Sequence, residues 1–225
     1  APVREAGALS GAADELGAPG VLKTSTGGYD GKGQVPVEGT ERLDAAWREL
    51  GADAAVYERF VDFERELSVV AARGVDGRVA LYGPMHNRHV DHVLDVSRHP
   101  AGVAPEAARE AREIGRAVVE ALDVVGVLCV ELFLTRDGGL LVNEIAPRPH
   151  NSGHLTIEGH VTSQFEQHVR TVCGLPLGSA EPIRPVATAN LLGDLWSGGD
   201  PDWGALLAHD DVKLHLYGKR DARPG

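Results

Sequence analysis

Cysteine is scarce in this sequence, with only two among 225 residues. Cys129 and Cys173 each lie in an apolar stretch, so two buried, reduced thiols are expected rather than a disulfide framework or a cysteine-based metal site. No apolar run approaches the length of a membrane span, and no basic segment followed by an apolar one opens the chain. These features predict a cytoplasmic protein that does not bind a membrane.

Basic residues are also few. Lys and Arg number 22 against 33 Asp and Glu, which leaves a net charge of −11. Broad binding to nucleic acid requires clustered Lys and Arg, so no nucleic-acid partner is expected. Glycine and proline, in contrast, are abundant, with 28 and 13 residues. They predict many turns and segments of backbone that approach a ligand closely.

The length fits one compact domain, or a small domain joined to a medium one. The chain begins at Ala1 and not at a methionine, and it stops at Gly225. Both ends suggest part of a longer protein.

Hydrophobic periodicity and turn residues predict strands and helices in mixed order, without a regular βαβ alternation, so the fold class is α+β. Helices are predicted over 10–16, 43–50, 105–122 and 163–172. Strands are predicted over 21–23, 35–37, 56–61, 66–72, 78–82, 124–134 and 140–145, with strand-like pieces at 187–192 and 212–217. A looser region that holds His86 and His92 runs to Pro100. The apolar stripes of the last two helices are predicted at residues 114, 118, 121 and 122 and at residues 165, 169 and 172.

A predicted hairpin brings two carboxylates together. If Asp137 and Gly138 form a two-residue loop, then Arg136 pairs with Gly139 and Glu131 pairs with Glu144 on one face of the sheet. Directly opposite residues have Cβ atoms about 4.5–5.5 Å apart, and like charges at that distance destabilise a strand pair unless a cation or a proton lies between them.

The glutamate pair has three interpretations. Two carboxylates suit Mg²⁺, which keeps water ligands and takes other ligands from substrate phosphates. Alternatively, one glutamate caps or pairs with an arginine at a sheet edge, or the two form a general acid/base pair. A three-residue loop would break the register that pairs the two glutamates.

A glycine-rich segment, Thr26 to Gln34, lies between two predicted strands. Its glycines allow backbone N–H groups to approach an anion, as in loops that bind phosphate, although a mobile hairpin tip has the same composition. The Walker spacing is absent because Gly33 follows Lys32. Lys23, on the strand before the loop, is either a phosphate ligand or an ordinary exposed strand lysine.

Several motifs together resemble the ATP-grasp family. Lys23 precedes the loop 27–34, which reads GGYDGKGQ, and the segments 57–61 (YERFV) and 66–68 (ELS) follow. The run 143–154, NEIAPRPHNSGH, is similar to that of the 5-(carboxyamino)imidazole ribonucleotide synthetases, the ATP-dependent carboxylating members of this family in purine synthesis. Segments 163–166 and 214–219 resemble later parts of the same enzymes, so the resemblance covers essentially the whole chain.

The resemblance implies roles for individual residues. Bound ATP would contact the loop, the adenine hinge and a ribose ligand, namely Lys23, Gly28, Gly31, Gly33, Gln34, Glu58, Arg59, Phe60, Val61 and Glu66. Mg²⁺, or Mn²⁺ in its place, would be held by Glu131 and Glu144. Bicarbonate and the carboxyphosphate made from it would be held by Arg148, His150 and Asn151. Aminoimidazole ribonucleotide would contact Tyr29, Asp30, Asn87, His89 and Lys219, and Asp30 would accept or steer the proton of its amine.

The resemblance also implies an architecture and a reaction. An ATP-grasp fold would have a small lid subdomain at 1–62, a larger antiparallel-sheet subdomain with the metal site at 63–180, and a short β-rich extension at 181–225. The enzyme would be a cytoplasmic homodimer that carboxylates the exocyclic amine of aminoimidazole ribonucleotide with ATP and bicarbonate. The alternatives are another ATP-grasp carboxylase or ligase, and a nucleotide-binding fragment with little turnover.

The sequence also departs from that family. Ser25 and Thr26 stand where members often carry arginines, and His86 and His92 stand where Glu and Gly are commoner. The family's N-terminal domain and extreme C-terminus have no counterpart in these 225 residues.

Overall fold

A computed structural model describes residues 1–28 and 32–218 and has an α+β architecture built on two antiparallel sheets. The strands are β1 (Pro2–Val3), β2 (Gly20–Thr24), β3 (Gln34–Val37), β4 (Ala55–Arg59), β5 (Phe63–Arg73), β6 (Val79–Val90), β7 (Val93–His99), β8 (Gly126–Thr135), β9 (Leu140–Ala146) and β10 (Val186–Ala189). The helices are α1 (Leu9–Leu16), α2 (Leu43–Leu50), α3 (Pro105–Ala121), α4 (Thr156–Gly159), α5 (Gln164–Val172) and α6 (Trp203–Leu207).

The first sheet has the strand order β1-β4-β2-β3 and packs against α1 and α2. Both helices were predicted to within one residue, because each ends at a glycine with positive φ, Gly17 and Gly51. The hydrophobic core of this first sheet includes Leu22 and Tyr57 and is separate from the core of the second sheet. A division from the second sheet near residue 62 remains a prediction.

The second sheet has the strand order β10-β7-β6-β5-β8-β9, and α3 covers one of its faces. The helix was predicted correctly, but its apolar stripe only in part: Ile114 and Val118 pack against the core, while Ala121 and Leu122 are exposed. Leu122 is 57% exposed, whereas Ala111, Gly115 and Val119 are buried. A Cβ on Gly115 would lie 2.7 Å from Val69, so the helix approaches β5 most closely where it has no side chain. Small residues line this contact, and a search for large apolar residues overlooks them.

The region predicted to be loose is instead two long strands. Strand β6 continues past Tyr82 to Val90, and β7 returns from Val93 after a turn in which Asp91 and His92 have positive φ. Polar residues in these strands hid the alternation from which strands are predicted.

Helix α5 also corrects a prediction, because its burial is inverted. Phe165, Val169 and Val172 are 38–61% exposed, while Gln164 and Gln167 are fully buried. Each buried amide binds backbone groups of a neighbouring loop: Gln164 donates to the His150 carbonyl (2.6 Å) and accepts from its N–H (3.0 Å). Buried N–H and C=O groups of a loop must be hydrogen-bonded. Here the cost of leaving them unpaired exceeds the gain from burying Val169 and Val172, so the glutamines occupy the buried face.

The last part of the chain adds one strand to the second sheet within the described residues. Strand β10 pairs with β7, and it is shorter than the strand-like piece predicted at 187–192. The prediction of a strand at 212–217 is wrong, because these residues have no regular structure. Alternation of apolar residues shows that one face of a strand could be buried. A strand also requires a neighbouring strand for its backbone hydrogen bonds, and residues 212–217 have none. In the part of the chain that the structure describes, no helix is both long enough and apolar enough to cross a membrane.

The buried His160 predicts a loss of stability in acid. Its ring packs on Tyr82 and His99, each with a centroid separation of 5.3 Å, and its residue exposure is 4%. Burial, helped by the charges of His99 and Arg112, lowers the pKa of His160 from 6.5 to about 4. The unfolded chain therefore binds a proton that the folded chain rejects between these values. Stability from this group is complete above pH 6.5, and at most about 3 kcal/mol is lost as the pH falls toward 4.

The measurement is urea unfolding of the wild type and His160→Phe across pH 4 to 7. Phenylalanine keeps the ring contacts and cannot titrate, so its free energy of unfolding is expected to fall less steeply below pH 6.5. Parallel curves for the two proteins would contradict the assignment.

Candidate active site

One face of the second sheet carries a row of polar side chains. Glu131 of β8 lies opposite Glu144 of β9 on one side and Ser68 of β5 on the other. Two residues along β5, Glu66 lies opposite Asn87 of β6. Paired residues, and residues two apart, share a face of a sheet, so these side chains all project to the side away from α3.

The glutamate pair forms by a route that differs from the predicted one. Thr135 bonds to the carbonyl of Gly139, so the hairpin has a three-residue loop and the register beside it is shifted by one residue. A β-bulge between Glu131 and Leu132 then inserts Asn143 as an extra residue on β9. The bulge cancels the shift, and Glu131 lies opposite Glu144 as predicted.

Glu131 contacts a histidine from the loop after β9. Its Oε1 lies 2.8 Å from His150 Nε2, and the two side chains are 17% and 11% exposed. Burial raises the pKa of Glu131, but the hydrogen bond and charge of His150 outweigh burial and hold that pKa below its ordinary value. Burial of the His150 ring disfavours its charged form, but hydrogen bonding and attraction from Cys129 and Glu131 raise the pKa of His150 to about 10. Glu131 is therefore an anion at neutral pH.

The donor set around Glu131 fits Mg²⁺. All-oxygen ligation by one or two carboxylates, completed by phosphate oxygens and water, is the arrangement that Mg²⁺ adopts in nucleotide enzymes. Glu131 and Glu144 supply those carboxylates. Among the described residues no group of three or more His, Cys, Asp or Glu side chains could form a closed cage, as a transition-metal site would require.

A second acid–histidine pair lies beside the first. His89 Nδ1 is 2.6 Å from Glu66 Oε2, and this hydrogen bond raises the pKa of His89. Asn87 is 3% exposed, and its Oδ1 accepts a hydrogen bond from Ser97 (2.8 Å). Of the two residues predicted to contact aminoimidazole ribonucleotide here, His89 pairs with Glu66 of the polar row, and Asn87 belongs to that row but is almost fully buried.

Lys23 links the first sheet to the second. Its Nζ lies 2.6 Å from Glu58 Oε2 and 3.5 Å from Asn143 Oδ1, the side chain of the bulge residue. A cation from the first sheet therefore contacts Asn143, the bulge residue that precedes Glu144 in the chain. The same strand accommodates the glycine loop closely, because a Cβ on Gly33 would lie 2.7 Å from Thr24 Oγ1, and Gly33 has a φ of 72°.

The predicted adenine hinge borders a cavity of about 400 Å³. Arg59, Phe60 and Val61 line one side, and Leu141 with the β8–β9 loop lines the other. Phe60 is 54% exposed, an apolar ring available to a flat ligand. A larger cavity, about 540 Å³, lies between α3 and residues 83–103 and contains none of the predicted site residues.

The remaining predicted residues fall into three groups. Arg148 and Asn151 lie on the exposed side of the loop after β9, on either side of His150. Gly28 and Gln34 flank the tip of the glycine loop, and Gln34 pairs with Lys23. The others lie outside the described residues, namely Tyr29, Asp30, Gly31 and Lys219.

Sequence reasoning missed three residues of this site: Asn143, Ser68 and Ser152. Ser152 Oγ lies 2.8 Å from His150 Nδ1, and Ser68 donates to Ser152 Oγ at 2.8 Å. All three stand within the motifs that carry the family resemblance, yet nothing local shows that they meet. Only a register and a loop path bring them together.

Comparisons with known proteins show the family to which the chain belongs. The ATP-grasp domain family matches residues 1–165, and the family described as phosphoribosylaminoimidazole carboxylase C-terminal domain matches residues 187–225. The chain is 42% identical to N5-carboxyaminoimidazole ribonucleotide synthase of Bacillus subtilis over 96% of its length. It is 39% identical to the bifunctional purine synthesis protein purC/E of Dictyostelium discoideum, also over 96% of its length.

Solved structures are similar throughout. An ADP complex of an N5-carboxyaminoimidazole ribonucleotide synthetase matches with a TM-score of 0.91 and 40% identity, covering 100% of this chain and 59% of that one. The Aspergillus clavatus synthase in complex with ADP and 5-aminoimidazole ribonucleotide matches with a TM-score of 0.85 and 31% identity, covering 100% of this chain and 61% of that one. The chain spans 56% of the Bacillus relative and 24% of the Dictyostelium one.

Proposed function

The chain belongs to the ATP-grasp family, and from that premise we propose that it binds ATP and Mg²⁺ and carboxylates the exocyclic amine of 5-aminoimidazole ribonucleotide with bicarbonate. ATP and bicarbonate would give carboxyphosphate and ADP. The carboxyl group would then pass to the amine, which loses a proton, and phosphate would leave. The product is 5-(carboxyamino)imidazole ribonucleotide.

The observation that carries the proposal is the contact of Lys23 with Asn143, the residue that precedes Glu144 of the glutamate pair. Transfer of a phosphoryl group requires positive charge close to its oxygens, and the barrier falls when that charge is already in place. Lys23 supplies a fixed cation from the first sheet, and Glu131 and Glu144 supply the carboxylates that would hold Mg²⁺ from the second. The bound metal would neutralise phosphoryl charge. ATP would then lie between the two sheets, with adenine in the cavity beside Phe60.

Bicarbonate would bind next to the loop after β9. Arg148 offers an exposed guanidinium, and His150 directs Nε2 toward Glu131. An anion here would lie between the arginine and the metal pair, close to the phosphoryl group that it attacks. Asn151 and Asp30, predicted to act on bicarbonate and on the amine proton, keep those roles as proposals.

Similarity to N5-carboxyaminoimidazole ribonucleotide synthases, one of them solved in complex with 5-aminoimidazole ribonucleotide, favours that ribonucleotide over other acceptors of ATP-grasp ligases. We place the protein in the cytoplasm because Cys129 and Cys173 are free. A homodimer, with Mn²⁺ as an alternative to Mg²⁺, also stays a prediction.

The test is ADP release in the presence of Mg²⁺, with bicarbonate and aminoimidazole ribonucleotide each omitted in turn. We expect ADP release that requires both, with the Bacillus subtilis relative as the positive control. ATP hydrolysis indifferent to the ribonucleotide would contradict the proposal and favour another ATP-grasp ligase. ATP binding without turnover would favour a nucleotide-binding fragment.

A further inference from the structure

Both ring nitrogens of His150 are held by side chains. Nε2 lies 2.8 Å from Glu131 Oε1, and Nδ1 lies 2.8 Å from Ser152 Oγ. An imidazole bound at one nitrogen can still rotate about that bond, whereas one bound at both has a fixed plane. The side chain that fixes a histidine through its second nitrogen commonly governs what the first nitrogen can do.

Ser152 is itself fully buried, and its hydroxyl has no spare bonding capacity. Besides His150, its Oγ accepts from Ser68 Oγ at 2.8 Å and lies 3.9 Å from Cys129 Sγ. A serine hydroxyl offers one donor and two acceptor sites, so three neighbours use all of them. The hydroxyl therefore cannot turn away from the ring without leaving a buried partner unsatisfied.

Ser68 connects this chain of hydrogen bonds back to the metal pair. It lies on β5 directly opposite Glu131 of β8, and it too is fully buried. The sheet thus holds His150 at both ends, through Glu131 at Nε2 and through Ser68 and Ser152 at Nδ1. Gln164 fixes the loop backbone at residue 150. The Ser152 N–H also lies 3.4 Å from His150 Nδ1, but the Ser152 hydroxyl is the closer partner of the ring at 2.8 Å.

We propose that Ser152, anchored by Ser68, is a positioning residue that fixes the ring plane of His150 against Glu131 in the bicarbonate half of the site. The inference rests on the proposed function for its catalytic consequence, but not for its structural one. Both serines are fully buried, and both would act through His150.

The test compares Ser152→Ala with a matched control, Thr171→Val. Both variants remove one hydroxyl from a fully buried position, but the Thr171 hydroxyl bonds to the carbonyl of His168 within α5. Cooperative thermal unfolding would verify that each variant is folded. The structural readout is the Nδ1–H proton of His150, the ring proton that faces Ser152, in a ¹⁵N-labelled chain; it is assigned by its absence in His150→Gln and told apart from Nε2–H by the nitrogen to which it is coupled.

The wild type and Thr171→Val are expected to show this proton protected from exchange with water, and Ser152→Ala is expected to lose it. In the same variants we expect bicarbonate-dependent ADP release to fall about 10–100-fold for Ser152→Ala, with KM for ATP within about twofold of wild type. A protected Nδ1–H proton of His150 in Ser152→Ala, or no protected Nδ1–H proton in the wild type, would overturn the inference whatever the activity. Absence of turnover in the wild type would count against the proposed function alone, because the proton signal still decides the role of Ser152.

Ser68 adds a second test. If it acts only through Ser152, then Ser68→Ala lowers turnover on its own but has no further effect in the Ser152→Ala background. Independent, additive losses would show that Ser68 acts by another route and would remove it from the proposal.

Discussion

Replacing Glu131 with glutamine is expected to lower Mg²⁺-dependent ATP turnover about 10²–10³-fold, the range seen when one preorganised electrostatic contact is lost from an active site. The substitution keeps the shape of the side chain and removes the charge that would hold the metal opposite Glu144. It also removes the anionic partner of His150. The measurement is ADP release as a function of Mg²⁺ concentration, where both a lower maximum and a higher requirement for metal are expected.

The matched control is Glu113→Gln on α3. Glu113 pairs with Arg109 on the exposed surface of that helix, on the other side of the sheet. Its loss is expected to leave turnover unchanged. Because Glu131 and Glu144 would share one ion, the double variant is expected to be scarcely worse than either single variant. Full activity in Glu131→Gln would support the alternative in which this carboxylate is only an ion-pair partner at the sheet.

Replacing Lys23 with methionine is expected to lower kcat/KM for ATP about 10²–10³-fold. Methionine keeps an unbranched apolar stem and removes the ammonium group that lies between Glu58 and Asn143. Phosphate oxygens would then face Glu58 without a cation between them. Stability is expected to change by less than about 1 kcal/mol, because Glu58 is 42% exposed and ion pairs open to water contribute little.

Isothermal titration of ATP and steady-state kinetics would measure this effect, with Lys213→Met as the control. Lys213 is exposed and lies in the irregular segment after α6. Equal ATP affinities for the two variants would show that Lys23 is an ordinary strand lysine. An intermediate loss in Glu58→Gln, with Lys23 intact, would indicate that Glu58 orients the lysine.

For the glutamate pair, the sequence predicted the pairing correctly but not the loop length or the bulge. The turn residues Asp137 and Gly138 predicted a hairpin, and Glu131 and Glu144 were predicted to meet. The loop is one residue longer than predicted, and the bulge at Asn143 restores the pairing. Turn composition alone did not distinguish two loop lengths, and a bulge depends on pairing between strands, which local composition does not specify. The pairing was predicted correctly through two deviations that cancel.

Helix α5 shows the opposite case, in which a clear local pattern misled. Its capping residue Ser163 was predicted and is observed, with a bond from the Glu166 N–H at 3.1 Å. The apolar stripe was assigned to the core, but the core side is occupied by Gln164 and Gln167, which bind loop backbone. Periodicity identifies the two faces of a helix. Which face is buried depends on the groups that pack against the helix, here polar backbone groups of neighbouring loops.

By itself the sequence determined the features that depend on neighbouring residues. Helix ends at glycine, the Ser163 cap, the hairpin turn and the motif that places Glu144 near His150 are all local, because their energies arise within a few residues. The tertiary structure alone decided the bulge at Asn143, the approach of Lys23 from the other sheet, and the chain from Ser68 through Ser152 to His150. These contacts join residues 84 and 120 positions apart. Their partners are chosen by sheet register and loop path, which no short stretch of sequence specifies.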